Sequence, residues 1–165
     1  MSDAGGHPEF KESPADLDQE DLKKASILVV DDHEQNLELL QAYLEDLGVE
    51  VRTATDGVEA ERQVEQRQPD LILLDVMMPR MSGFQLCSKL KSDPDTRSIP
   101  IVMVTALSEV GDVERAVECG ADDFLTKPVY KVELVTRAKS MLRYRLLKKQ
   151  FDEQMLKLKD LEESS

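Results

Sequence analysis

The chain has 165 residues, with 34 Asp and Glu against 21 Lys and Arg and a formal net charge of −13, which is room for one ordinary domain plus tails. At 41% hydrophobic residues it can bury a core, aliphatic rather than ring-stacked because aromatics are 4% and Trp is absent. So acidic a chain repels the phosphates of nucleic acid and anionic lipid, which excludes direct DNA binding as its expected activity.

Cys87 and Cys119 are far apart in sequence and form no CxxC or Cys/His cluster, so neither a disulfide framework nor a structural zinc site is indicated. The apolar runs are too short to span a bilayer, and the N-terminus lacks the basic start and apolar stretch of a signal peptide. A cytoplasmic protein without a membrane partner is expected.

Residues 1–25 are rich in Asp, Glu, Pro, Gly and Ser and offer only Phe10, Leu17 and Leu22 as large apolar groups. They are expected to form a flexible acidic leader, with a short helix near Asp16 to Lys24. From Ser26 short apolar runs alternate with amphipathic stretches. The runs are Ile27 to Val30, Val49 to Val51, Leu71 to Leu74, Ile101 to Val104 and Asp123 to Leu125. Runs that are apolar on both faces suit parallel strands covered by helices. Between them Leu37, Leu40, Leu44 and Leu47 recur at helical spacing, as do Val58, Ala60 and Val64, then Phe84, Leu86, Cys87 and Leu90, then Val113, Ala116 and Val117. Gly48 and Gly120 stand where helices should end. The pattern predicts an α/β fold with a five-stranded, doubly wound parallel sheet.

From Val132 to Leu161 a long helical pattern runs without Gly or Pro. Val132, Leu134, Val135 and Ala138 can pack on the sheet as a fifth helix. Beyond them Tyr144, Leu147, Phe151, Leu158 and Leu161 fall on a 3-4 alternation interrupted by Gln154, which predicts an extended C-terminal helix that pairs as a coiled coil or links to another module. The division expected is a leader over 1–25, a domain over 26–143 and a helical extension over 144–165.

In open α/β sheets the functional crevice lies at the carboxyl ends of the strands. Here the first strand ends in Asp31 and Asp32, the third in Asp75, the fourth in Thr105 and the fifth in Thr126-Lys127-Pro128. Three carboxylates facing one ammonium repel one another unless a cation joins them. Oxygen ligands of this kind suit Mg²⁺, with Mn²⁺ able to substitute. A strand-end carboxylate beside a metal and a lysine is poised as a nucleophile toward phosphorus.

These motifs, Val-Val-Asp31-Asp32, Leu-Leu-Asp75-Val-Met-Met-Pro79-Arg-Met-Ser-Gly83, Val-Thr105-Ala106 and Leu-Thr-Lys127-Pro128, resemble the receiver domain of two-component response regulators. The resemblance covers residues 26–143 and implies a flavodoxin-like fold. It implies that Asp75 accepts a phosphoryl group from a sensor histidine kinase or a phosphotransfer protein. Asp32 would bind Mg²⁺ directly, Asp31 mainly through water, and Asp75 with the backbone carbonyl of Met77 would complete the ligands. Lys127 would pair with the acceptor carboxylate, and Pro128 resembles the family's cis-proline. Thr105 and the aromatic Phe124 would act as the switch, altering the face made by the domain's fourth helix, fifth strand and fifth helix. A homodimer through that face or the C-terminal helix is expected.

His33 directly follows the acid pair, and a solvated first-turn histidine is the role expected of it. Met77 and Leu107, two residues after Asp75 and Thr105, are apolar where a polar side chain could orient an attacking water, so a long-lived phosphoryl group is expected. The chain could equally be the input module of a longer regulator with a diguanylate cyclase, phosphodiesterase or phosphatase output. A turnover phosphatase of the haloacid dehalogenase type would need a second Asp where Met77 stands. By this reading the chain is no enzyme beyond its own phosphorylation and dephosphorylation.

Overall fold

The computed structural model describes residues 19–106 and 110–164. Five parallel strands, β1 (Ser26–Val30), β2 (Glu50–Ala54), β3 (Leu71–Asp75), β4 (Ile101–Thr105) and β5 (Asp123–Thr126), stand in the order β2-β1-β3-β4-β5. A short helix α1 (Gln19–Lys24) precedes them, and α2 (Glu34–Leu44), α3 (Gly57–Gln66), α4 (Gly83–Ser92), α5 (Val110–Glu118) and α6 (Lys131–Glu163) alternate with the strands. Counted from β1, α5 and α6 are the domain's fourth and fifth helices. The order reverses between β1 and β3, and that switch point is where such sheets hold their ligands.

The central strands β1, β3 and β4 are buried along their whole length, as the two-sided apolar runs require. One face of the sheet packs Leu28, Val30, Ile72, Leu74 and Met103 under α3, α4 and α5. The other packs Ile27, Val29, Leu71, Leu73 and Val104 under α1, α2 and α6. Strand β2 starts one residue later than its apolar signal and runs on through Arg52 and Thr53, because as an edge strand it is only half covered. Arg52 there donates to the carbonyls of Gln63 and Arg67 at the end of α3.

The helices turn differently from the simplest reading of their valines. Val58, Val117 and Val132 are exposed, while Ala60, Val64, Ala116, Leu134 and Ala138 fill the core. Three alanines sit where helix and sheet approach closely, with Val64 and Leu134 beside them, and the other three valines are left outside. Gly48 and Gly120 adopt φ of 70° and 86° at the helix ends, the left-handed conformation that glycine enters without a Cβ clash. Of the leader, Leu22 of α1 is buried; residues 1–18, with Phe10 and Leu17, lie outside the described residues. The free thiols of Cys87 and Cys119 are buried, and burial pushes the Cys87 thiol far up, leaving it a small apolar group.

Helix α6 stays fastened to the sheet past Leu142. Arg145 is buried and donates to Ser98 Oγ at 2.7 Å, and Lys149 Nζ donates to Asp70 Oδ1 at 2.6 Å. The other oxygen of Asp70 accepts from Ser26 N at 2.9 Å, so one buried carboxylate ties the starts of β1 and β3 to the fifth helix. Asp70 Oδ1 also lies 3.9 Å from Nε of the buried Arg145, and removing the carboxylate strands that guanidinium. Asp70→Ala is therefore expected to cost about 3 kcal/mol, read as a melting temperature lower by roughly 10 °C. Tyr144, Leu147, Phe151, Leu158 and Leu161 are exposed.

Candidate functional site

Strand β1 delivers Asp31 and Asp32 to the switch point, and β3 delivers Asp75 beside them. Asp31 N–H donates to Ala54 O at 3.1 Å, which extends the sheet by one bond and fixes the first acid. Its side chain is 1% exposed and accepts from His33 N–H at 2.9 Å, Asn36 Nδ2 at 3.2 Å and Lys127 Nζ at 3.3 Å. Both oxygens of Asp31 are thus engaged by protein donors. Asp32, with its side chain 24% exposed, differs, because its enclosed Oδ1 has no hydrogen-bond partner.

Asp75 is 4% exposed and lies 3.4 Å from Lys127 Nζ. Burial, reinforced by the neighbouring Asp31, pushes its carboxyl above the usual carboxylate range, against the pull of Lys127 and of the Met77 N–H. Lys127 is held by its own backbone, whose N–H donates to Thr105 O at 2.7 Å, and the bond to Pro128 is cis. Above Asp75 opens a cleft of about 180 Å³ lined by His33, Asn36, Met77, Ala106 and Lys127 among others.

The loop after β3 is shaped by backbone contacts. Gly83 N–H donates to Val76 O at 3.0 Å, and a Cβ on Gly83 would meet the Asp75 carbonyl oxygen at 2.2 Å. Ser82 caps α4, accepting from Gln85 N at 3.2 Å while Gln85 Oε1 accepts from Ser82 N at 3.0 Å. Helix α4 thereby starts directly behind the acceptor strand.

Ligand atoms of Asp31, Asp32, His33 and Asp75 all lie within 4.8 Å of one another. Three carboxylates with one lysine, and one carboxylate oxygen left without a partner, fit a hard divalent cation. Thr105 is buried and shares a small void with Val76, Phe84, Met103 and Phe124; Phe124 itself is 37% exposed. Asn36 escaped the sequence reading because an amide on the first turn of a helix carries no spacing signal. His33 was visible beside the acids, yet adjacency alone does not tell where a ring points. Leu107 lies outside the described residues.

The Response regulator receiver domain family matches residues 27–139. Response regulator PleD of Caulobacter vibrioides is 52% identical over 123 residues, 74% of this chain and 27% of that protein. The phosphate regulon transcriptional regulatory protein PhoB of Rhizobium meliloti is 44% identical over 71% of this chain and 52% of its own length. The chain thus spans about a quarter to a half of these curated relatives. Among solved structures, the signal receiver domain of a signal transduction histidine kinase from Syntrophus aciditrophicus superposes with a TM-score of 0.68 at 44% identity, covering 72% of this chain and 89% of that one. Chemotaxis protein CheY4 of Vibrio cholerae gives 0.67 at 30% identity, over 71% and 98%. No helix among the described residues is long and apolar enough to cross a membrane. With the motif spacing, the strand order and the relatives in agreement, the chain belongs to the receiver domain family of two-component response regulators.

Proposed function

We propose that Asp75 is the residue that takes the phosphoryl group, donated by a sensor histidine kinase or a phosphotransfer protein. The observation that carries this reading is a buried carboxylate facing Lys127 at 3.4 Å within an acid cluster that holds one oxygen without a partner. Asp32, Asp75 and the backbone carbonyl of Met77 would hold Mg²⁺ or Mn²⁺ directly and Asp31 mainly through water, in keeping with the full engagement of Asp31 by other donors. Such a cation supplies charge neutralisation for the incoming phosphoryl oxygens. Attack by an Asp75 oxygen forms the new O–P bond as the bond to the donor breaks, and the donor leaves with its electron pair. Lys127 then transfers its pairing from the free carboxylate to the phosphoryl oxygens. Incubation of the full chain with labelled acetyl phosphate should give stoichiometric, Mg²⁺-dependent labelling; no labelling in excess Mg²⁺ would reject the reading.

Thr105 and Phe124 form the switch in this account. The void they share is far smaller than a phenyl ring, so Phe124 can turn inward only after Thr105 moves toward the phosphoryl group. That movement alters the face of α5, β5 and α6. The exposed Met77 beside Asp75 offers no polar group to orient water. Release of label is expected to take on the order of minutes to hours, and chase experiments in Mg²⁺ buffer showing decay within seconds would contradict it.

Beyond a receiver unit over 26–143, the segment 144–165 is read as a dimerising connector. The relatives' greater length supports a second reading, in which α6 leads to an output module such as a diguanylate cyclase, phosphodiesterase or phosphatase. Contact with nucleic acid or membrane is not assigned to this acidic chain. Glutamates in place of both Phe151 and Leu158 should shift the sedimentation coefficient from dimer to monomer and leave the melting temperature nearly unchanged, since both side chains are exposed.

A further inference from the structure

We propose that the His33 imidazole is a fourth protein donor to the cation site, so that this chain favours nitrogen-seeking divalent ions such as Ni²⁺ more strongly than carboxylates alone would. The inference rests on the cation site proposed above and adds one residue to it. His33 Nδ1 lies 3.0 Å from Asp32 Oδ1 and 3.5 Å from Asp31 Oδ1. Neighbouring ligands of an octahedral ion with bonds of about 2.1 Å stand about 3.0 Å apart. The spacing therefore matches one edge of a coordination octahedron.

The pair makes no hydrogen bond, since Asp32 Oδ1 is enclosed and has no partner. A close contact without hydrogen-bond geometry is one that a shared cation would bridge. The ring is also placed by its backbone. His33 is the N-cap residue of α2, its own side chain caps nothing, and its N–H is tied to Asp31 Oδ1 at 2.9 Å. Although the side chain is 68% exposed, it lines the same cleft as Asp75 and Lys127. A neutral imidazole adds no charge, so the balance of three carboxylates, one ammonium and one divalent ion is preserved. Imidazole strengthens binding of Ni²⁺ and Co²⁺ far more than of Mg²⁺, which prefers oxygen. A histidine merely solvated on the first turn would leave metal preference untouched.

The chain has two histidines, His7 and His33, so each can be removed in turn. The full-length wild type, His33→Gln and His7→Gln are titrated calorimetrically with Ni²⁺ and Mg²⁺ in the same buffer. The same proteins are loaded with Mn²⁺ for pulsed electron paramagnetic resonance. Ni²⁺ affinity should fall about tenfold or more in His33→Gln, with Mg²⁺ affinity changed by less than about twofold. The nitrogen hyperfine coupling of a bound imidazole should appear in wild type and His7→Gln and vanish in His33→Gln. Coupling that is absent from wild type or survives in His33→Gln overturns the proposal, as does an equal loss of Mg²⁺ affinity. Failure of every ion to bind wild type would overturn the cation site itself and the role of His33 with it.

Discussion

Asp75→Asn is expected to take up no phosphoryl label from acetyl phosphate and, at the same time, to melt at a higher temperature than the metal-free wild type at neutral pH. The first effect follows because an amide oxygen has no charge to direct at phosphorus. The second follows from the burial of Asp75, reinforced by the neighbouring Asp31, which holds its carboxyl above the usual carboxylate range. Between the unfolded and the raised native value the native state holds the extra proton. Stability contributed by this group is complete below the unfolded value and is lost as pH rises through the native one. The variant has no such loss. Its advantage over wild type should vanish at pH below the ordinary carboxylate range and grow as pH rises through the raised native value, appearing as about 2–4 °C for each kcal/mol recovered. Melting curves over that range check the sign, and a wild type more stable than the variant at neutral pH would contradict the account. Added Mg²⁺ should raise the wild type and narrow the gap, because the cation relieves the same repulsion.

Gly83→Ala is expected to damage both fold and site. The added methyl would lie 2.2 Å from the Asp75 carbonyl oxygen and 2.9 Å from both the Asp75 carbonyl carbon and Val76 Cα. These are backbone atoms, so relief requires moving the very strand end that holds the acceptor. Overpacking against backbone belongs at the upper end of such costs, about 3 kcal/mol or more, which lowers the melting temperature by roughly 10 °C. A displacement of about 1 Å at a reacting group can cost on the order of a hundredfold in rate, so the initial rate of labelling should fall by at least about tenfold. Ser82→Ala is the control, since it removes the cap at about 1 kcal/mol without pressing on Asp75. Equal labelling by Gly83→Ala and wild type would show that the loop yields without disturbing the acceptor.

The strand pattern was legible because β1, β3 and β4 are covered on both faces, and a strand in that position can hardly carry a polar residue before its end. Polar residues at the ends of those strands, Asp31, Asp75 and Thr105, therefore announced the crevice. Edge strand β2 was placed less accurately, since Arg52 and Thr53 face solvent or the end of α3 and bear no apolar mark. Val58, Val117 and Val132 misled in the same way, being apolar residues that a helix can afford to leave outside. The continued docking of α6 through Arg145 and Lys149 had no periodic signal at all, because charged residues at helical spacing read as a solvated face until Asp70 is seen opposite them.

The alternation of strands and helices, and the set of acids, lysine and threonine at the sheet's rim, follow from local periodicity and from spacing along the chain. Folding in three dimensions sets which carboxylate oxygen of the acid cluster lacks a hydrogen-bond partner, which ring reaches the acids, and which glycine must have no side chain. Those properties depend on distances in space, between neighbours such as Asp32 and His33 as much as between the remote Asp75 and Lys127, and a periodic pattern carries no information about such distances until the chain has folded.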